Sequence, residues 1–240
     1  MDKAASQAID KFVYSINQAL NGLRNAFGES EPAEQSEHNT FSLSLAQVRT
    51  IAQAGLAHTV FRVGDSIISD HELGSIAWRV IGVDKHSVNL HMVHLLEDRR
   101  SFGDCNDWEK SELRRWLNDD KEGGFFGGFP LDDGNAIAPT EIITAKNGQP
   151  NKTVDRLYLL SRSEVGLGYE GGVNEGDPFP FFKDDESRRK VYADGDSSCW
   201  WLRSPISGGA YGVRFVDTSG ALDGYGAVGS SGVAAACTIR

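Results

Sequence analysis

Cys199-Trp-Trp-Leu-Arg-Ser-Pro205 is the stretch on which the fold reading turns. Successive residues of a strand point to opposite faces, so Trp200 and Trp201 cannot share one environment. One ring fills the core, while the other covers a loop or lines a groove at its edge. Arg203, in apolar company, reads as a structural organiser that forks to carbonyls or a carboxylate. Pro205 ends the run and launches a Gly/Ala/Val-rich tail. The strand candidate Tyr211–Val216 lies inside that tail, and Val233–Ile239 closes the chain.

Upstream, Ile76–Val83, Ser87–Leu96 and Val154–Ser161 have the short β-type texture of further strands. Ser44 opens a helix that runs to Gly55 and buries Leu45, Val48, Ile51 and Ala52. A second helix spans Trp108–Asn118. Asn106 and Glu109 form a capping-box-like start, and Leu113, Trp116 and Leu117 form the buried face. Residues 123–130 and 166–180 read as loops. Few helices, short strands and long irregular connections around one core make an α+β domain over 44–240.

Two segments precede it. Ile9, Phe12, Ile16, Ala19, Leu23 and Ala26 draw one stripe along an N-terminal amphipathic helix within 1–28. Residues 5–27 of this helix can serve as a coiled-coil seam between copies or pack on the chain's own body. Residues 29–43, polar and acidic, read as a linker.

The 240 residues carry a net charge of −10, which argues against a nucleic-acid binder. No apolar run reaches bilayer length, so no membrane partner is expected. The start lacks the basic and apolar regions of a signal peptide. Three cysteines, Cys105, Cys199 and Cys237, have no close spacing and suit a reducing cytoplasm or a virion component assembled there.

Several phrases occur together in order: Phe61-Arg-Val-Gly-Asp-Ser-Ile67, Ile76-Ala-Trp-Arg-Val-Ile81, Trp108–Asn118, Leu157-Tyr-Leu-Leu-Ser161, Cys199–Pro205 and Gly232–Ile239. Over roughly residues 60–240 this series resembles a large family of bacterial and phage domains of unassigned activity. The family looks like a branch of the C-type-lectin fold, shared with formylglycine-generating enzymes and with the variable proteins of diversity-generating retroelements. The resemblance implies a C-type-lectin-like α+β fold of short antiparallel strands, long loops and flanking helices. It further implies a receptor-recognition surface at the C-terminus. Where many relatives end in Gly-Val-Arg-Pro-Ala, this chain has Gly232-Val-Ala-Ala-Ala236, so any role of that arginine is absent.

Residues 207–232 contain no Lys, Glu, Gln, Met or Trp. Those five residues need a purine in the third codon position. Asn codons mutated only at their two adenines never reach them, yet reach Ala, Asp, Gly, Tyr, Val, Ser and Phe. That is the signature of adenine-directed mutagenesis. Tyr and Phe supply contact area with few rotors to freeze, and Gly, Ser and Asp supply fit and hydrogen bonds. The expected contact residues are Tyr211, Gly212, Phe215, Asp217, Ala221, Asp223, Gly224, Tyr225, Gly226, Val228, Gly229 and Ser231. Val213, Arg214, Val216, Leu222 and Ala227 are expected to be scaffold. The partner is an unidentified protein or other macromolecule.

Other chemistries find less support. His91 and His94 fall on opposite faces of a strand, which does not suit a shared metal. The carboxylates at 184–186 and 174–177 lack EF-hand spacing. No hydrolase elbow or phosphate- or dinucleotide-binding glycine loop occurs, and no cofactor is expected. An invariant binding or structural module of the same fold is the alternative reading. A formylglycine-generating-like oxidoreductase requires Cys199 and Cys237 to meet. The reading is a binding protein, not an enzyme.

Overall fold

A computed structural model describes residues 38–169 and 171–240. The expected N-terminal helix with its seam, and most of the expected 29–43 linker, lie outside the described residues. From Asn39 the chain forms one compact unit, a mixed α+β body with several small sheets and few helices.

The largest sheet has five strands in the order β1-β2-β3-β4-β12: Thr40–Ser42, Ser66–Ser69, Ile76–Val83, Val88–Met92 and Ala236–Ile239. Residues 40–42 are therefore not linker. Phe41 is buried edge-on to Phe61, ring centroids 5.3 Å apart, and fixes that strand. The pair β1–β2 is parallel, a departure from the all-antiparallel expectation, while β2–β3, β3–β4 and β4–β12 are antiparallel. The strand expected over Ser87–Leu96 ends at Met92. Beyond it the Leu95 and Leu96 N–H groups donate to the Val191 and Val233 carbonyls in loop geometry.

Helix α1 (Leu45–Gln53) starts on a full capping box between Ser44 and Gln47 and buries Leu45, Val48, Ile51 and Ala52. Gly55, at φ +74°, ends it in the left-handed conformation. The single turn α2 (Ala57–Val60) follows.

The helix expected over 108–118 is broken. Trp108–Lys110 is one 3₁₀ turn capped by Asp107, and Ser111 caps a separate α3 (Glu112–Asn118). Ser111 itself is extended at ψ 133°, which breaks the helix, and its hydroxyl also donates to the Phe102 carbonyl, 2.6 Å away. Leu113 and Leu117 are buried, but Trp116 is only half-buried. Arg100 stacks 3.5 Å over its ring, and its indole N–H donates to the Gly123 carbonyl.

Helix α4 (Leu131–Ala136) leads into a hairpin of β6 (Thr140–Lys146) and β7 (Gln149–Asp155). Asn147 and Gly148, both at positive φ, form its two-residue loop. The strand expected over 154–161 covers only the end of β7. Residues 157–161 instead run buried beside β12, joined to it by one bridge between Tyr158 and Ala236.

The tail belongs to a three-stranded antiparallel sheet, ordered β10-β9-β8: Leu222–Gly226, Gly212–Val216 and Trp200–Pro205. The short helix α5 (Asp185–Arg188) packs by its turn, and β5 (Arg100–Ser101) pairs with β11 (Ser230–Ser231).

Candidate functional site

Strand β8 is buried from Trp200 to Ser204. The two tryptophans face opposite ways and both are enclosed, so neither lines a groove. The Trp200 indole N–H donates to the Arg188 carbonyl at 3.0 Å, and its ring meets that of His91 at 5.2 Å. Trp201 donates to the Arg100 carbonyl at 2.8 Å and packs between Phe102 and Phe215. Both indoles are thus satisfied while buried, as their polar handles require.

Arg203 is fully buried. Nη1 and Nη2 fork onto the Glu164 carboxylate at 2.5 and 2.8 Å. The guanidinium also donates to the carbonyls of Leu159, Ile143 and Glu175. Glu175, whose carboxyl burial raises above its ordinary range, accepts from the Ser204 hydroxyl and the Ala145 N–H. One side chain therefore ties β8 to β6, to residues 159–164 and to the loop around 175. Neither glutamate was legible beforehand, because nothing in the spacing links positions 164, 175 and 203.

On this floor stand β9 and β10. The register Phe215↔Asp223 and Val213↔Tyr225 puts these four side chains on one face, with Tyr211 one step further along it. Val213 and Val216 are fully buried, but Tyr211, Tyr225 and Val228 are 68%, 59% and 71% exposed. Asp223 is exposed beside them. Phe215, Ala221 and Gly226 are half-exposed, with Phe215 leaning on Trp201 at 6.2 Å.

Other expected contact residues serve the scaffold. Ser231 is buried, and its hydroxyl donates to the Cys199 carbonyl at 3.0 Å. Gly212 and Gly224 lie on the opposite face beneath Ile206. A Cβ there falls 2.8 and 2.4 Å from the Ile206 Cδ1. Gly229 lies under the Tyr225 ring, 2.0 Å from an added Cβ. Asp217 accepts from the backbone of Ser219 and Ala221 and from the Ser219 hydroxyl, closing the 217–221 turn. Those bonds, foremost the Ser219 hydroxyl, hold its carboxyl below the usual range. Of the expected scaffold residues, Val213, Val216 and Ala227 are buried, whereas Arg214 and Leu222 are half-exposed.

Asn106, expected to help start a helix, instead clamps the loop before β9. Its amide nitrogen donates to the Gly209 and Gly212 carbonyls at 2.9 and 3.0 Å, and its N–H donates to Ala210. Beside that clamp a groove of about 730 Å³ opens among Asn106, Lys110, Lys146, Ile206 and Ala210. Lys146 is neutralised there by Asp107 and Glu109 at 3.0 and 2.8 Å.

The remaining candidates are dispersed. The three cysteines are free, and Cys237 is buried in β12, where burial pushes its thiol far up. Asp184 caps α5, Asp185 pairs with Arg188, and Glu186 pairs with Arg189. Among the described residues no three His, Cys, Asp or Glu side chains cluster as metal ligands. No helix among them is long and apolar enough to cross a membrane.

Residues 90–240 match the family described as a domain of unknown function (DUF6273), and the chain belongs to that family. Comparison with curated proteins and with solved structures gives no match.

Proposed function

We propose that this DUF6273 chain is a ligand-binding protein of C-type-lectin-like architecture. Its C-terminal face is diversified by a retroelement to recognise varied macromolecules. The observation that carries the reading is the contrast within β9, β10 and the turn that follows. Tyr211, Asp223, Tyr225 and Val228 face solvent, while Val213 and Ala227 beside them and Val216 on the other face are sealed. Rigid aromatic anchors beside small polar residues, on a packed floor, follow the composition logic of antibody loops.

The absent residue types over 207–232 support diversification, and the structure narrows the positions it would use. Glycines that Ile206 or Tyr225 must cover, and the turn-closing Asp217, contribute shape rather than contact. The short strands, long loops and few helices are compatible with the C-type-lectin class.

The coding DNA provides the test. The expected finding is a nearby near-copy of the 3′ end that differs from it only where the copy has adenines, with a reverse-transcriptase gene alongside. The differing codons should fall on Tyr211, Asp223, Tyr225 and Val228 and spare Gly220. A complete genome with no such copy removes diversification and leaves an invariant binding module.

A further inference from the structure

Among the described residues strand β10 has one partner, β9, and lies at the edge of its sheet. Hydrogen bonds from Asp217 to Ala221 and from Ala227 to Tyr211 frame the two ends of the β9–β10 ladder. In an antiparallel ladder hydrogen-bonded pairs alternate. Asp223 and Tyr225 therefore spend their backbone groups on β9, and Leu222, Gly224 and Gly226 point theirs outward. The Gly224 N–H is taken by the Asp223 carboxylate at 2.8 Å, and the Gly226 carbonyl accepts from Gly229. The N–H groups of Leu222 and Gly226 and the carbonyls of Leu222 and Gly224 remain, with no partner among the described residues.

Natural edges are normally blunted by proline, lysine or a covering segment. Strand β7, also at a sheet edge, carries Pro150 and Lys152. Strand β10 has neither. Two of its five residues are glycine, and a Cβ built on Gly226 meets nothing within 4 Å. The sheet face at that position is open to the side chains of an added strand.

We infer that the β10 edge binds its ligand by strand addition, the partner being an extended segment of a polypeptide. This rests on the proposed binding face and specifies its partner. Only an extended chain presents amides and carbonyls at the repeat that Leu222, Gly224 and Gly226 set. Tyr225 and Asp223, alternating with them, read the added strand's side chains on the exposed face. The exposed Asp223 on a chain of net charge −10 selects a segment bearing lysine or arginine. Main-chain bonds supply affinity, and the variable side chains supply choice.

The test starts from random linear peptides displayed on phage and selected on the full chain. Enriched sequences are resynthesised with free or alternately N-methylated amides. Binding is expected to weaken roughly five- to tenfold on N-methylation and on Gly226→Pro, since each removes about 1 kcal/mol of hydrogen bonding. Gly226→Pro deletes an outward amide and leaves the β9 ladder intact, which its melting temperature checks. The bound peptide should also slow exchange of the Leu222 and Gly226 amides. If peptides ignore N-methylation yet lose binding with Tyr211→Ala and Tyr225→Ala, strand addition is wrong and the binding face stands. If no peptide is enriched, strand addition also fails, and the face is then judged on folded ligands.

Discussion

Gly220 separates scaffold from surface within the tail, and replacing it with alanine measures the separation. The residue sits at φ +92°, and an added Cβ would lie 1.9 Å from the Asp185 carbonyl oxygen. That atom is backbone, so the contact is not relieved by a rotamer change. The left-handed conformation costs a non-glycine residue about 1–2 kcal/mol. Forcing the turn away from α5 adds about 1–3 kcal/mol of overpacking. Displacement also strains the 2.9 Å bond from the buried Arg188 Nε to the Gly220 carbonyl. Together these give roughly 2–5 kcal/mol, or a melting temperature lower by ~4–20 °C for a domain of this size. Tyr211→Ala, by contrast, removes an exposed ring and should stay within about 0.5 kcal/mol. Thermal unfolding followed by circular dichroism reads both. A Gly220→Ala protein that melts within about 1 °C of wild type would refute the packing described for this turn.

Two further perturbations probe the floor. Arg203→Leu strands the buried Glu164 carboxylate and three carbonyls, and it should cost at least about 3–5 kcal/mol in urea unfolding. A loss under about 1 kcal/mol would show that the arginine is not the tie described. The second concerns pH. Burial, then the Lys190 charge, holds His91 well below its ordinary value; Lys190 itself is pushed down to about 7 by burial and Arg79. The unfolded imidazole takes up a proton near pH 6.5 that the folded one refuses, so His91's contribution is intact above that pH and declines below it. Between about pH 6.5 and 5, wild type should lose up to about 1.4 kcal/mol per pH unit through this group. His91→Leu should flatten that slope in thermal melts. An unchanged slope would place the acid sensitivity elsewhere.

What the sequence conveyed follows from how local each signal was. Helix α1 was readable because cap, stripe and stop fall within a dozen residues, and β3 because its alternation is sustained. The Asn147-Gly148 pair is a strong two-residue loop signal that the sequence reading did not use, placing a strand on the apolar run after it. That run, 157–161, is buried for a different reason: it lies beside β12, held by a single bridge rather than a ladder. Ser111 breaks a helix whose amphipathic pattern ran through it, because it takes an extended backbone and caps the second helix through Arg114.

At the site, alternation along β9 did not assign faces, so Tyr211 and Gly212 were both expected as contacts although the register puts them on opposite faces. Ile206 over Gly212 and Gly224 comes from outside the strand pair. The same holds for Asn106, which is far away in sequence, and for the burial of Ser231 against Cys199. Composition suggested a binding surface, and only packing tells apart glycine that faces a ligand from glycine that makes room for a neighbour.

The most direct test of the central claim is a library randomised together at Tyr211, Asp223, Tyr225 and Val228, with each clone's melting temperature measured. If these side chains form a surface carried by an independent floor, most clones unfold cooperatively within a few degrees of wild type, at about 0.5 kcal/mol per exposed site. A library in which most clones fail to fold would contradict it, because a face that cannot vary without loss of the body cannot be a diversified binding site.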